Sequence, residues 1–186
     1  MTTLTPALFI GHGSPENVVL HNAFTQSLQR LGQQLAKPRA ILMVSAHWLS
    51  RGSFLTTAPK PSQVFDFYGF PDALYNITYQ PSTDTQVIAD ILAIGNSIPI
   101  IADTNAGFDH GTWTVLKHLF PAADVPVVQL SLNTQLNRQQ HFDLAQSLTA
   151  LRGKGIMVMG SGNVVHNLGQ LDWHNRNGAY DWALRF

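Results

Sequence analysis

The chain has 186 residues, of which 45% are apolar, and its 11 basic and 11 acidic side chains give a net charge of zero. This length suits one domain with a substantial buried core, and the apolar content excludes a disordered chain. The sequence has no basic cluster and no apolar run near the ~20 residues that cross a bilayer, so we expect neither nucleic acid nor a membrane as a partner. Residues 1–8 lack a signal-peptide pattern, and the predicted location is the cytoplasm.

Apolar periodicity predicts strands that alternate with helices along the chain. The predicted strands cover residues 6–10, 40–44, 53–57, 75–79, 98–102, 126–132 and 156–159. Helices are predicted over residues 22–35, after a capping box at 83–86, over 112–120 and over 137–151, with a long aromatic-rich loop at 58–71. The predicted class is therefore α/β, with a central, mostly parallel or mixed sheet, helices on both faces and a single domain over residues 1–186.

The end of the chain has an unusual pattern. Residues 180–186 resemble a helix that is just beginning, with aromatic side chains that favour burial. Charged residues make up only 12% of the sequence, a low fraction for a fully exposed surface. We therefore expect the domain to be incomplete at its C-terminus, and we expect the apolar surface exposed in this way to favour self-association.

Three of the strand-like runs end in small-residue turns that carry a histidine. The first leads to His12, between two glycines, the second to His47, and the last through a glycine-rich turn to His166. Functional sites in open α/β sheets collect at the carboxyl ends of strands, so we expect these imidazoles to converge. Since the chain has no cysteine, metal ligands must come from His, Asp and Glu. The pattern predicts a metal site formed by His12, His47 and His166.

Each of these histidines also has a simpler interpretation. The glycines around His12 suit a phosphate-binding turn, and His47 suits a hydrogen-bonded core histidine. His166 is a third ligand or a general base, or it marks the start of a helix. At Asp109-His110-Gly111 two alternatives are balanced: His110 points into the site as a polar or acid–base group, or Asp109 simply caps the helix from Thr112.

Other polar and aromatic residues have weaker patterns. Four histidines lack a glycine-rich position at a strand end: His21, His118, His141 and His174. Of these, His118 and His141 lie on predicted helices and are expected at the surface. Glu16, the only glutamate, is either a partner of His12 or a solvated side chain. The aromatic run at 65–70 is expected to pack within its loop rather than to line a substrate pocket.

Four motifs occur in the order and at about the separation found in one known family: Gly11-His12-Gly13-Ser14-Pro15, Ser45-Ala46-His47-Trp48, Gly107-Phe108-Asp109-His110-Gly111 and Ser161-Gly162-Asn163-Val164-Val165-His166-Asn167. Over essentially its whole length the chain resembles the class III extradiol ring-cleavage dioxygenases (LigB-like), in the 4,5-DOPA dioxygenase branch. The resemblance implies that His12 and His47 bind metal and that His166 is a further ligand or the catalytic acid–base. It also implies that His110 lines the substrate and oxygen side of the pocket. Family members continue past the equivalent of Phe186, and that portion carries another histidine of the metal site.

The resemblance also implies a cofactor, a substrate and a product. The implied cofactor is Fe(II), which binds a catechol and dioxygen side by side, and the implied partners are a small aromatic diol and O2. The expected product is a ring-opened hydroxymuconic semialdehyde. Zn(II) is also expected to bind such imidazoles, without supporting this reaction because it is redox-inert. Two alternatives stay open: a zinc hydrolase that uses His12, His47 and His166, and a protein that keeps the fold without a working site.

Overall fold

A computed structural model describes residues 4–94, 98–165, 167–170, 175 and 178–185 of the chain. Its strands are β1 (Ala7–Ile10), β2 (Ala40–Ser50), β3 (Ser53–Thr56), β4 (Ile100–Asp103), β5 (Val127–Asn133) and β6 (Ile156–Ser161). They form one sheet in the order β1-β6-β2-β5-β3-β4. Neighbouring strands run parallel except β3 and β5, which are antiparallel. The predicted mixed sheet is confirmed.

The helices are α1 (Ala23–Gln34), α2 (Asp72–Tyr75), α3 (Thr85–Leu92), α4 (His110–Leu119), α5 (Arg138–Leu148) and α6 (Asp181–Arg185), with 3-10 turns at Pro15–Val18, Thr149–Lys154 and Leu168–Gln170. The four longest α-helices each follow an Asn or Asp whose side chain accepts a hydrogen bond from the backbone N–H three residues on: Asn22, Asp84, Asp109 and Asn137. Such caps satisfy backbone donors that the helix itself leaves unpaired, which explains where these helices begin.

The core lies on both faces of the sheet, because alternate strand residues point to opposite sides. On one face, Ile41 and Met43 of β2 belong to the cluster that includes Leu28 of α1 and Trp113 of α4. On the other face, Leu42 of β2 belongs to the cluster that includes buried side chains of α3 and α5. Helices therefore cover both faces of a single domain, as the alternating pattern predicts. Among the described residues, no helix is long and apolar enough to cross a membrane.

One predicted strand and one predicted strand end are wrong. Residues 75–79 do not form a strand: Pro71 precedes the short helix α2, and the irregular chain after it buries Tyr79, whose hydroxyl donates to the Phe120 carbonyl at 3.0 Å. β2 does not end at Val44, since pairing to β5 resumes at Leu49 after a shift in register. His47 therefore lies within an irregular stretch of a long strand and not in a turn that follows it.

The crossing of α1 over α4 depends on Gly32. A Cβ built at this position would overlap the Leu119 carbonyl oxygen, a backbone atom that cannot move aside cheaply. We expect Gly32→Ala to lower the free energy of unfolding by about 1–3 kcal/mol, although alanine favours an isolated helix. Urea denaturation measures this change. Gly153→Ala is the matched control, because its Cβ would meet Leu4 at an ordinary 3.8 Å. Equal stability of the two variants would contradict the close crossing.

Candidate metal centre

Three histidines from different segments meet at one edge of the sheet. His12 follows β1, His47 lies late in β2, and His110 is the first residue of α4. A possible ligand atom of each lies within 4.8 Å of those of the other two. His12 and His110 are buried, with 2% and 5% of their surface exposed, and His47 is partly buried. Parallel β1, β6 and β2 bring their carboxyl ends to this edge, where sites of α/β sheets form.

The orientation of His12 is fixed by Ser161 at the end of β6. The Ser161 hydroxyl donates its single proton to the Gly111 carbonyl at 2.5 Å, so the same oxygen must accept from Nδ1 of His12, 2.9 Å away. His12 therefore carries its proton on Nδ1 and presents the lone pair of Nε2. Gly111 is required here, because a Cβ would lie 2.5 Å from Ser45 Oγ and 3.1 Å from His12 Nδ1.

The lone pair of His12 points at His47. The two Nε2 atoms are 3.0 Å apart. Two imidazole nitrogens that bind one ion at ~2.0–2.1 Å stand roughly 3.0–3.4 Å apart, so this pair has the spacing of two ligands on one metal. A purely imidazole donor set with buried walls suits zinc or iron better than magnesium or calcium. The residues present fit a transition-metal ion.

A buried hydrogen-bond network supports the third histidine. Asp109 caps α4 and accepts from Ser45 Oγ at 2.7 Å and from Gln129 Nε2 at 2.5 Å. Ser45 in turn accepts from the backbone N–H of His47 at 3.2 Å. Burial raises the pKa of Asp109, and the bonds from Ser45 and Gln129 oppose that rise. Asp109 therefore caps the helix, and His110 lies beside His12 and His47, while its acid–base role stays a prediction.

Asp66 is a site residue that sequence reasoning missed. Its Oδ1 accepts from the backbone N–H of His110 at 2.9 Å, and its Oδ2 lies 2.9 Å from His110 Nδ1 and 3.7 Å from His47 Nδ1. Burial acts to raise the pKa of Asp66, but hydrogen bonding and charge from His110 outweigh burial and lower it. The sequence feature that could have identified Asp66 is its position between Phe65 and Phe67, which pack against the core and hold the loop there.

Comparison with known proteins identifies the family. Residues 4–184 match the model of the catalytic LigB subunit of aromatic ring-opening dioxygenase. The chain belongs to this family. It is 46% identical to the 4,5-DOPA dioxygenase extradiol of Escherichia coli (strain K12), over 100% of this chain and 69% of that protein. It is 32% identical to the protein of that name from Beta vulgaris, over 85% of this chain and 61% of that protein.

A solved structure has the same fold. It is that of an uncharacterized Escherichia coli K12 protein, which matches with a TM-score of 0.82 and 40% identity over 97% of this chain and 69% of that chain. The resemblance drawn from the four motifs is thus confirmed for the LigB family and its fold. The chain spans between three fifths and about two thirds of the length of the two named dioxygenases.

The predicted site residues of this LigB-family chain have different outcomes. His12 and His47 come together, and His110 joins them closely enough to be a ligand itself. His166 lies outside the described residues, so its role as ligand or acid–base stays a prediction. Three residues before it, Asn163 accepts from the backbone N–H of Gly13 at 3.1 Å, which ties that loop to the one carrying His12.

The other histidines lie away from the cluster. His118 was expected at the surface, but only 8% of it is exposed, and its Nε2 contacts the Asn17 carbonyl oxygen at 2.9 Å. That expectation was wrong because α4 is packed against α1, the sheet and the turn at Pro15–Val18. His21 is exposed and His141 lies partly exposed on α5, while His174 falls outside the described residues.

The aromatic side chains of the loop pack on one another, as expected, but they also pack on α4 and beside the histidines. Phe65 and Phe67 pack edge-on to one another at 5.9 Å and contact Trp113 of α4. Phe67 also places its ring centroid 5.6 Å from that of His110. The loop is therefore part of the core cluster and at the same time forms one wall beside the histidines.

Loss of the Ser161 hydroxyl should weaken metal binding. In Ser161→Ala, Nδ1–H of His12 loses its acceptor, and the proton becomes free to move to Nε2, where it competes with a metal. Because removing the outer partner of a ligating histidine typically costs 10- to 100-fold, we expect a loss of about this size in zinc affinity. Titration against a chromophoric chelator measures it. Ser147→Ala, which removes a hydroxyl bonded to a carbonyl of α5, is the control and should bind zinc normally.

Proposed function

We propose that this protein is a metal-dependent extradiol dioxygenase that inserts both atoms of O2 into a catechol-type, DOPA-like aromatic to give a ring-opened semialdehyde. The observation that carries the proposal is the cluster of His12, His47 and His110 in a chain of the LigB family. The relatives named above are called 4,5-DOPA dioxygenase extradiol, which supports a catechol of this kind as substrate.

In this proposal His12 and His47 hold the metal through Nε2, with His110 or His166 as the further ligand. A bound ferrous ion would supply electrons for oxygen activation and a common binding point for both reactants. Asp109 and Ser45 hold the backbone around His47 and His110 in place, so the imidazoles need little rearrangement before they bind.

The second proposed role is proton transfer. A catechol must lose its hydroxyl protons before its ring opens, and an imidazole titrates close enough to neutrality to take one and return it. His166 is proposed for this role, as the resemblance implies, and His110 is the second candidate because it lies against the cluster. Phe67 stands beside His110 and would exclude water from that side of the ring.

Oxygen uptake tests the proposed reaction. The chain is loaded with Fe(II) without air and mixed with a panel of catechols that includes DOPA. We expect O2 consumption, a growing yellow product, and both atoms of labelled O2 in that product. The zinc-loaded chain is the control and should consume none. An iron-loaded protein that leaves every catechol and O2 untouched would contradict the proposal. Metal-dependent hydrolysis of an ester or amide by the zinc-loaded chain would favour the zinc hydrolase instead.

A further inference from the structure

We propose that Asp66 is a positioning residue that fixes the proton of His110 on Nδ1 and thereby leaves the lone pair of Nε2 for the metal centre. The inference rests on the proposed metal site but not on the oxygen chemistry. Asp66 is 44 positions away from His110 in the sequence and lies in the aromatic loop, outside the four histidine motifs.

The first step is the contact between the carboxylate and the ring. Asp66 Oδ2 and His110 Nδ1 are 2.9 Å apart. A carboxylate oxygen has only lone pairs to offer, so a ring nitrogen that also presented a lone pair at this distance would be repelled. The approach is bent, and Nδ1 makes no hydrogen bond of regular geometry to any described residue, Asp66 included. At 2.9 Å the negative carboxylate still favours Nδ1–H over an exposed lone pair, which places the proton of His110 on Nδ1.

The second step is that the other carboxylate oxygen is also in use. Oδ1 of Asp66 accepts from the backbone N–H of His110 at 2.9 Å. The carboxylate thus contacts His110 at two points, the backbone N–H and Nδ1. These two contacts fix the plane and rotation of the imidazole as well as its tautomer. Oδ2 also lies 3.7 Å from Nδ1 of His47, so the same carboxylate stands beside two of the three imidazoles.

The third step concerns how Asp66 is held. Its neighbours Phe65 and Phe67 pack on Trp113, and Trp113 Nε1 donates to the Val64 carbonyl at 2.9 Å. The backbone on both sides of Asp66 is therefore anchored to α4, the helix that begins with His110. A carboxylate supported in this way can act on the imidazole without following the movements of a free loop.

This geometry makes Asp66→Asn an informative substitution. An asparagine of the same shape has one acceptor and one donor where the aspartate has two acceptors. The backbone N–H of His110 can only donate a hydrogen bond. The amide oxygen of the asparagine must therefore face this N–H, and its NH2 group must face Nδ1. The ring must then expose a lone pair at Nδ1 and carry its proton on Nε2, which blocks the nitrogen that faces the site.

The test reads the protonated ring nitrogen directly in metal-free protein. Long-range 1H–15N spectra of imidazole-labelled samples distinguish the two tautomers, and His110→Gln assigns the signal. We expect Nδ1–H in the parent chain and Nε2–H in Asp66→Asn, with a zinc affinity about 10- to 100-fold lower in the variant. Asp66→Ala removes the acceptor without supplying a donor, and we expect it to give a mixture of tautomers with an intermediate affinity.

Asp72→Asn is the matched control, since Asp72 is exposed in the same part of the chain and caps no helix end with its side chain. It should leave both the tautomer and the affinity unchanged. An His110 tautomer that is the same in the parent, Asp66→Asn and Asp66→Ala would overturn the proposal. A switched tautomer with normal zinc affinity would overturn the claim that the Nε2 lone pair of His110 serves the metal centre. Since the spectra need neither iron nor substrate, absence of oxygen uptake would bear on the proposed function alone.

Discussion

His47→Ala is expected to abolish oxygen uptake and to lower metal affinity by more than about 100-fold. This loss is larger than the one that follows from removing a residue that only hydrogen-bonds to a ligating histidine. The reason is geometric: Nε2 of His47 and Nε2 of His12 are 3.0 Å apart, so removing one imidazole leaves its partner without the second ligand of the pair. Zinc and iron contents after dialysis, together with the oxygen electrode, measure the two effects. The protein should stay folded, because His47 is only partly buried.

His21→Ala provides the comparison. His21 is exposed and its Nε2 contacts only a neighbouring glutamine side chain, Gln26, at 3.1 Å among the contacts described. This variant should keep the parent's metal content and rate. If His47→Ala retained both metal and oxygen uptake, the pair of nitrogens at 3.0 Å would not be the metal site.

Trp113→Ala is expected to cost about 3–5 kcal/mol in the free energy of unfolding, the range for a large buried aromatic side chain. Trp113 is fully buried in α4, contacts the rings of Phe65 and Phe67, and donates from Nε1 to the Val64 carbonyl. Its removal leaves a cavity under the aromatic loop and an unpaired carbonyl. Urea denaturation followed by circular dichroism measures the change.

The same substitution should also loosen the metal site, because the loop that carries Asp66 loses its anchor on α4. Trp182→Ala is the control: Trp182 is 45% exposed on α6, and its removal should change stability by no more than about 0.5 kcal/mol. A loss below about 1 kcal/mol in Trp113→Ala would contradict the packing described for this loop.

The sequence alone was sufficient for the architecture and for part of the site. Alternating apolar runs and helix caps such as Asn22 and Asn137 depend on near neighbours in the chain, so their pattern is visible without tertiary structure. The histidines at 12 and 47 could be paired in advance for a similar reason. Each follows or continues a strand, and parallel strands bring their carboxyl ends to one edge.

Other features depended on contacts that no local pattern encodes. The segment at 75–79 has the composition of a strand, but the chain there turns to bury Tyr79 against α4, and packing overrides β-propensity. His118 lies on a helix as predicted, but it is buried because α1 and the turn at Pro15–Val18 pack against it. Local periodicity does not show such contacts.

The largest difference concerns the groups that orient the imidazoles. Ser161 lies 149 positions from His12, and Asp66 lies 44 positions from His110. The sequence determined which residues can bind a metal, because ligand chemistry belongs to the residue type. Only the tertiary structure decided which ring nitrogen of His12 faces the site, because a tautomer is set by the hydrogen-bond partner that folding brings within 3 Å of the ring.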